Sequence, residues 1–179
     1  GSLNNTATGE LLGGRHNTID VTQSMANAGL IDANLTRINA AQLHNRGRIY
    51  GDGVSISAGT LVNDAGPKGS AVIASRGNLN LGVDSLINRH HSVLYAKNHL
   101  RLGAALDAAQ RATGQAGQLQ NLSATIEAGG TITISANQIH NQNANFVSET
   151  VRLSSKPKVY FTPEGSTEMY DAASHWLCD

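Results

Sequence analysis

An apolar residue followed two positions later by asparagine recurs seven times in this chain of 179 residues, and this repetition constrains the fold more than any other feature. Successive asparagines are 22, 18, 18, 25, 33 and 20 residues apart. A period near 20 is typical of proteins built from stacked repeats, in which each unit packs only on its neighbours. The asparagines are Asn5, Asn27, Asn45, Asn63, Asn88, Asn121 and Asn141.

Two further short apolar patterns follow each asparagine. One is an apolar residue with a small residue two positions later, as in Ile49/Gly51, and the other is an alternating pair such as Val54/Ile56. Alternation with a period of two is typical of strands, and the Gly, Asn, Asp and Ser residues between these patterns predict turns. Three short strands per repeat, stacked coil on coil, predict an all-β parallel β-helix of about seven coils.

The expected interior consists of small aliphatic side chains. Aromatic residues make up only 4% of the chain, which suits a narrow solenoid core better than a broad globular one. In the second coil the predicted core residues are Ile31, Leu35 and Ile38. The seventh coil is expected to continue after Ile139 with Phe146, Val151 and Leu153.

The recurrent asparagines are interpreted as a structural ladder. Stacked Asn side chains can bond to each other along the direction in which strands stack, as they do in cross-β assemblies. The alternative is a row of ligand-binding amides, which the sequence supports less well. The ladder interpretation predicts that Asn63→Leu destabilises the fold.

Residues 103–118 interrupt the repeats. The segment reads Ala-Ala-Leu-Asp-Ala-Ala-Gln-Arg-Ala from position 104, and it is rich in helix-forming residues. It predicts a short helix or mobile loop that leaves one corner of the solenoid. Insertions in repeat proteins form loops on one face, so Leu106, Gln110 and Arg111 are candidate contact residues.

The repeat pattern ends near residue 153. We therefore predict a repeat domain over residues 1–153 and a non-repeat tail over residues 154–179. Two interpretations of the tail stay open: a segment that caps the last coil, or the start of a different domain. Four of the seven aromatic residues lie in the tail, and they extend the candidate contact surface: Tyr160, Phe161, Tyr170 and Trp176.

Charge and composition argue against several classes of function. Thirteen basic and thirteen acidic residues give a net charge of zero, whereas nucleic-acid binders carry a clustered basic face. The chain has no run of 18 apolar residues, so the sequence predicts no transmembrane helix. The first 20 residues lack the pattern of a signal peptide, so we expect an internal fragment of a longer protein.

Candidate catalytic and metal-binding groups are sparse. Asp32 and Glu127 point outward from equivalent positions but lie four coils apart, about 19 Å, too far for paired carboxylate chemistry. His44 and His140 are separated in the same way, and His90-His91 with His99 indicate exposed turns rather than a metal site. We therefore predict no catalytic residues, no metal and no cofactor.

Two stretches closely resemble the filamentous haemagglutinin repeat: Leu43-His-Asn-Arg-Gly-Arg-Ile-Tyr-Gly-Asp-Gly-Val-Ser-Ile-Ser-Ala-Gly and Asn121-Leu-Ser-Ala-Thr-Ile-Glu-Ala-Gly-Gly-Thr-Ile-Thr-Ile-Ser-Ala. The resemblance covers roughly residues 3–153. It implies a right-handed β-helix in a very large exoprotein that two-partner secretion exports to the surface of a Gram-negative bacterium.

The resemblance implies a structural or adhesive stalk, of the haemagglutinin or contact-dependent growth inhibition class, that mediates cell contact or presents a toxin. The implied partners are a protein or glycan receptor on a target cell and, for the full-length protein, the outer-membrane transporter of the secretion system. Nucleic acid and membrane insertion are not expected. The alternatives are a discrete receptor-binding module and, less favoured, a polysaccharide-degrading enzyme on the same scaffold.

Overall fold

The computed structural model describes residues 1–144, 146–151 and 158–172, a part of the chain that contains strands and turns but no helix. A nine-stranded parallel sheet, sheet A, forms the larger wall of the fold. Its strands are β1 (Leu3–Asn5), β3 (His16–Asn27), β5 (Leu35–Asn45), β7 (Gly53–Asn63), β9 (Leu79–Arg89), β11 (Leu100–Gly103), β14 (Ala116–Leu122), β16 (Ile132–Ile134) and β17 (Ala136–Gln142).

A six-stranded parallel sheet, sheet B, forms the second wall. Its strands are β2 (Glu10–Leu12), β4 (Leu30–Asp32), β6 (Arg48–Gly51), β8 (Val72–Ser75), β10 (Val93–Ala96) and β15 (Thr125–Ala128). Through β10 the chain alternates between the two sheets, so that each circuit adds one strand to each wall. Later circuits add two shorter strands to sheet A, β11 with β14 and β16 with β17. The result is the predicted parallel β-solenoid of about seven turns.

The strand register follows the sequence repeats. Every recurrent asparagine pairs with the asparagine of the next coil, from Asn5↔Asn27 through Asn121↔Asn141. In sheet B, Ile49 pairs with Ile73 in the same way. Equivalent residues therefore form columns along the solenoid, and the irregular spacing of the repeats is absorbed in turns.

The prediction of three separate short strands per coil is wrong for the regular coils. The alternating pair and the following asparagine pattern lie on one long strand, as in β7, where the pairing of residues 54–63 with β9 is interrupted only at Gly59. A Cβ atom on Gly59 would lie 2.9 Å from the carbonyl oxygen of Ala41 in the preceding coil. Small residues at this bend let the neighbouring backbones stay close enough for the ladder to continue.

The core is a stack of aliphatic layers between the two sheets. Ile31, Ile49 and Ile73 are fully buried from sheet B, and they face Leu43 and Leu61 from sheet A. Leu and Ile side chains of this size contribute about 1.5–3 kcal/mol each when buried. Because each layer is covered by the next one, the central coils are buried more completely than the terminal ones.

Leu35 was expected in the core, but it is 37% exposed, and Thr36 is fully buried instead. The pairing places Leu35 opposite Gly53 and Thr36 opposite the core residue Val54. Thr36 is tolerated in the interior because its hydroxyl donates a hydrogen bond of 2.6 Å to the carbonyl oxygen of Tyr50. The strand register therefore decides which of two adjacent side chains points inward.

The helix expected in residues 103–118 is absent. These residues form a β-hairpin of two short antiparallel strands, β12 (Ala105–Leu106) and β13 (Ala112–Thr113), that lies against β7 and β9 of sheet A. A helix of this length is marginal without a packed face. Both ends of the segment are fixed in neighbouring positions of sheet A, and a hairpin returns the chain to that point.

The seventh coil ends earlier than expected. β17 ends at Gln142, and neither Phe146 nor Val151, which are 72% and 70% exposed, continues the strand pattern. Leu153, also assigned to this coil by the sequence, lies outside the described residues. The chain separates into two compact units, residues 1–146 and residues 147–179, rather than at residue 153.

The described residues of the second unit contain one antiparallel pair of strands, β18 (Tyr160–Phe161) and β19 (Tyr170–Asp171). The rings of Phe161 and Tyr170 lie 6.1 Å apart between centroids, within the range of aromatic contacts. Lys158 Nζ lies 3.2 Å from a carboxylate oxygen of Asp171. This hairpin holds three of the four aromatic residues that the sequence places in the tail.

Candidate functional site

The seven recurrent asparagines form one continuous row of hydrogen bonds. The side-chain amide of each donates to the side-chain oxygen of the next, with nitrogen–oxygen distances of 2.8–2.9 Å from Asn5 to Asn141. The central members Asn45, Asn63 and Asn88 are fully buried. Their amides are engaged with each other, so the row is a structural ladder rather than a set of amides facing a ligand.

Most ladder amides also bond to the backbone at the same corner. Asn45 Nδ2 lies 3.3 Å from the carbonyl oxygen of Val72, and Asn63 Nδ2 lies 3.2 Å from that of Val93. Val72 and Val93 begin the sheet B strands of the following coils. Asn45 and Asn63 therefore each connect sheet A of one coil to sheet B of the next.

A charged cluster lies beside the ladder, around Asp64. Its carboxylate accepts hydrogen bonds from Arg89 Nη2 at 2.8 Å and from the backbone N–H of Ala65 at 2.7 Å, and it lies 2.6 Å from His90 Nδ1. Burial would raise the pKa of Asp64, but the bonds from Arg89, His90 and Ala65 outweigh it and lower that pKa to about 2. Asp64 is therefore a permanent anion at neutral pH.

His44 Nε2 is buried at the edge of this cluster without a hydrogen-bond partner, 3.8 Å from an oxygen of Asp64. Burial lowers the pKa of His44, and the nearby arginines Arg46 and Arg89 add to this effect. Proximity to Asp64 acts in the opposite direction but does not compensate. The His44 imidazole is therefore neutral at neutral pH, and its contact with Asp64 is not an ion pair.

A second cluster joins three coils through one guanidinium. Arg76 Nη2 lies 2.9 Å from Asp32, and Arg76 Nε lies 2.6 Å from Asp52. Both carboxylates raise the pKa of Arg76. Sequence reasoning compared Asp32 only with Glu127 and missed its convergence with Asp52, because the register alone does not show which way an arginine side chain extends. Both carboxylates are occupied by the same cation.

The remaining histidines do not converge. His90 contacts Asp64, whereas His99 Nδ1 accepts a hydrogen bond from the backbone N–H of Thr131. His140 contacts Gln142 at 2.8 Å. Within the described ranges, no group of three or more His, Cys, Asp or Glu residues could hold a metal ion.

The hairpin places the contact residues of the insertion on the outer face of sheet A. Asp107 accepts a hydrogen bond from the N–H of Gln110, and Gln110 follows in a left-handed conformation with φ of 61°. Leu106 packs over Gly82, where an added Cβ atom would lie 2.8 Å from Leu106 Cγ. Arg111 is exposed immediately before β13. The sequence signal that was missed is Gly82, since a larger residue would block this packing.

Two grooves border the hairpin. The first, of about 360 Å³, is lined by polar groups of sheet A, with Ala109 and Gln110 from the hairpin. The second, of about 370 Å³, includes Asp20, Asn39 and Leu106. Arg37 and Gln110 line both grooves, so the two form adjacent parts of one surface.

In the tail, Tyr160 is half exposed, while Phe161 and Tyr170 are partly buried against each other. They belong to the second unit, residues 147–179, whereas the insertion residues belong to the first. Trp176, the last predicted contact residue, lies outside the described residues, as do His175 and Cys178.

The described part of the chain contains no helix that is long and apolar enough to cross a membrane. Comparison with protein-family models, with curated proteins and with solved structures found no match to this chain. The fold and its contacts therefore define the class, a parallel β-solenoid with an internal asparagine ladder and one surface hairpin.

Proposed function

We propose that this chain is a structural and adhesive segment of the stalk of a large secreted exoprotein on the surface of a Gram-negative bacterium. In this role it mediates cell–cell contact or presents a toxin. The observation that carries the proposal is the uninterrupted asparagine ladder, which joins all seven coils by side-chain hydrogen bonds. A stalk requires stiffness along its length, and this ladder supplies it.

The ladder resists bending because it runs along the stacking direction. Seven coils at about 4.8 Å per coil give the repeat unit a length of roughly 34 Å. Shearing one coil against the next would break at least one buried amide bond in addition to the strand pairing. The Arg76 cluster adds an outer connection across three coils, between Asp32 and Asp52.

The partners proposed for the full-length protein are the outer-membrane transporter of a two-partner system and a receptor on the target cell. The resemblance of the repeats to filamentous haemagglutinin supports the first partner. The polar outer surface supports contact with a protein or glycan, since charged groups on it are joined in ion pairs across coils.

A discrete receptor-binding module is the second candidate, and the hairpin favours it. Gly103 pairs with Gly82, and Ala116 occupies the column that contains Ala136. Gln118 pairs with Ser85, which places Ala116 opposite Val83. Because Gly82 and Val83 are adjacent, their partners Gly103 and Ala116 occupy neighbouring positions of the coil. The twelve residues 104–115 are therefore additional to the scaffold, which suggests a role in contact.

The test is binding of the labelled chain to intact bacteria and to epithelial cells, compared with a variant that lacks residues 104–115. Because Gly103 and Ala116 fall in adjacent positions, the deletion should leave a regular coil. A control variant, Lys68→Ala, changes a surface turn elsewhere. Saturable binding that is lost only on deletion would establish a receptor-binding module.

Absence of binding to either cell type by the folded protein would leave a spacer and would refute the adhesive part of the proposal. Incubation with a panel of polysaccharides tests the enzyme alternative. Release of reducing ends or unsaturated sugars would refute the stalk proposal in favour of a carbohydrate-active enzyme.

A further inference from the structure

The groove between the hairpin and sheet A contains a buried polar atom without a partner. Asn80 points outward from β9, since its neighbours Leu79 and Leu81 are fully buried in the core. Asn80 is nevertheless only 8% exposed, and its side-chain oxygen has no hydrogen-bond partner. An unpaired buried acceptor costs about 1–3 kcal/mol. Asn80 lines the groove, so rotation of its side chain would present this oxygen to a molecule bound there.

Hydrogen-bond donors lie in the same groove. Arg37 is exposed at its rim and forms no ion pair within the described ranges, unlike Arg76 and Arg89. Ser55 precedes Asn80 in the outward column of sheet A and donates a hydrogen bond of 3.4 Å to the carbonyl oxygen of Gln110. This bond fixes the tip of the hairpin over the groove, so the site is formed by the hairpin and the sheet together.

The chemistry of the lining defines the ligand. The ligand must donate a hydrogen bond to Asn80 and accept one from Arg37, which adjacent hydroxyl groups do together. The carboxylate of Asp20 in the second groove balances the charge of Arg37, and that of Asp52 in the first groove is paired with Arg76, so a strongly anionic ligand is not favoured. No aromatic side chain lines either groove, which argues against a nucleobase or another flat ring.

We propose that the groove formed by Arg37, Ser55, Asn80 and Gln110 binds a neutral saccharide. Vicinal hydroxyls of one sugar residue engage Asn80 and Arg37, while the partly exposed Leu35 and Ala109 contact its apolar C–H face. The adjoining groove beyond Gln110 gives room for a second sugar residue. The inference deepens the contact role proposed above and rests on it for its biological setting.

The test uses the whole purified chain and soluble neutral tetrasaccharides of glucose, galactose, mannose and N-acetylglucosamine, with inorganic phosphate and triglycine as competing ligand classes. Calorimetry measures affinity, and shifts of the backbone amides of Ser55, Asn80 and Gln110 locate the site. We expect one saccharide to bind at millimolar or lower concentration. Arg37→Ala should weaken it about 10–100-fold and Asn80→Leu about 2–10-fold, as expected for charged and neutral hydrogen bonds.

Arg48→Ala, on sheet B, is the matched control and should leave the affinity unchanged. Asn80→Leu also separates binding from folding: it removes an unpaired buried oxygen, so the melting temperature should stay the same or rise while affinity falls. Deletion of residues 104–115 should abolish saccharide binding.

The proposal is overturned if no saccharide binds, if phosphate or triglycine binds in its place, or if amide shifts occur elsewhere. Binding that is unaffected by Arg37→Ala and Asn80→Leu also overturns it. Because the ligands are soluble and the protein is pure, a failure here is distinct from a failure of the cell-binding test.

Discussion

Replacing Asn63 by leucine tests the asparagine ladder at its centre. Asn63 accepts a hydrogen bond from Asn45 at 2.8 Å and donates one to Asn88 at 2.9 Å, and it is fully buried. Leucine has a similar size, but its side chain can neither donate nor accept a hydrogen bond. The substitution leaves the side-chain oxygen of Asn88 without a donor and removes the acceptor at which the amide of Asn45 points.

Each unpaired buried group costs about 1–3 kcal/mol, so we expect Asn63→Leu to destabilise the fold by roughly 2–6 kcal/mol. For a chain of this size, 1 kcal/mol shifts the melting temperature by about 2–4 °C. The expected fall is therefore roughly 5–20 °C, measured by circular dichroism on heating and by urea denaturation. Asn45→Leu combined with Asn63→Leu should cost less than the sum of the two, since each single change leaves the other residue unpaired.

Asn141→Leu is the matched control. Asn141 is exposed and accepts a single ladder bond, from Asn121, so its replacement should cost less than about 1 kcal/mol. The reasoning is refuted if Asn63→Leu melts within 2 °C of the unmodified chain. Equal losses of stability for Asn63→Leu and Asn141→Leu would refute it as well, because the ladder argument requires the substitution at the buried position to cost more.

Further predictions concern the charged cluster and the hairpin. The folded pKa of Asp64, about 2, lies below its ordinary value of 3.8, so its contribution of roughly 2 kcal/mol is present above pH 4 and lost towards pH 2; Asp64→Asn should flatten acid denaturation in this range. His44 also has a lowered pKa, so protonation disfavours the folded state, and His44→Gln should reduce the loss of stability as pH falls below 6.5. Gly82→Val would place a Cβ atom 2.5 Å from the backbone of Ala105 and should displace the hairpin, measured as faster tryptic cleavage after Arg111 with the solenoid intact. Gln110→Gly should stabilise the hairpin by about 1 kcal/mol, because glycine adopts the positive φ freely, and should slow the same cleavage.

The repeat made the solenoid and the ladder predictable. Period-two alternation and the recurrent asparagines determine which residues stack, because a parallel solenoid places equivalent positions of successive repeats side by side. Leu35 shows the limit of this reasoning. It is the more hydrophobic of two neighbours, but Thr36 points inward because strand alternation is set by the whole coil and not by one side chain.

The hairpin could not be predicted from its own residues. Its alanine-rich sequence favours a helix locally, and the competing interaction comes from residues more than 20 positions earlier in the chain. Gly82 provides the space for Leu106, and Ser55 provides the hydrogen bond that holds Gln110. The candidate site was missed for the same reason, since Arg37 and Asn80 belong to different repeats and meet only through the register of sheet A.

The arrangement separates the stabilising interior from the proposed contact surface. The ladder and the aliphatic core lie inside, where each substitution affects neighbouring coils, whereas the hairpin and its grooves lie outside. Because residues 104–115 leave and rejoin the coil at adjacent positions, they can change in length and sequence without a change in the register of the scaffold. The buried oxygen of Asn80 fits this division, since an unpaired acceptor is a cost to the fold that a hydrogen bond from a bound ligand would offset. A solenoid of this kind can therefore combine a constant stiff rod with a contact surface that varies from one hairpin to another.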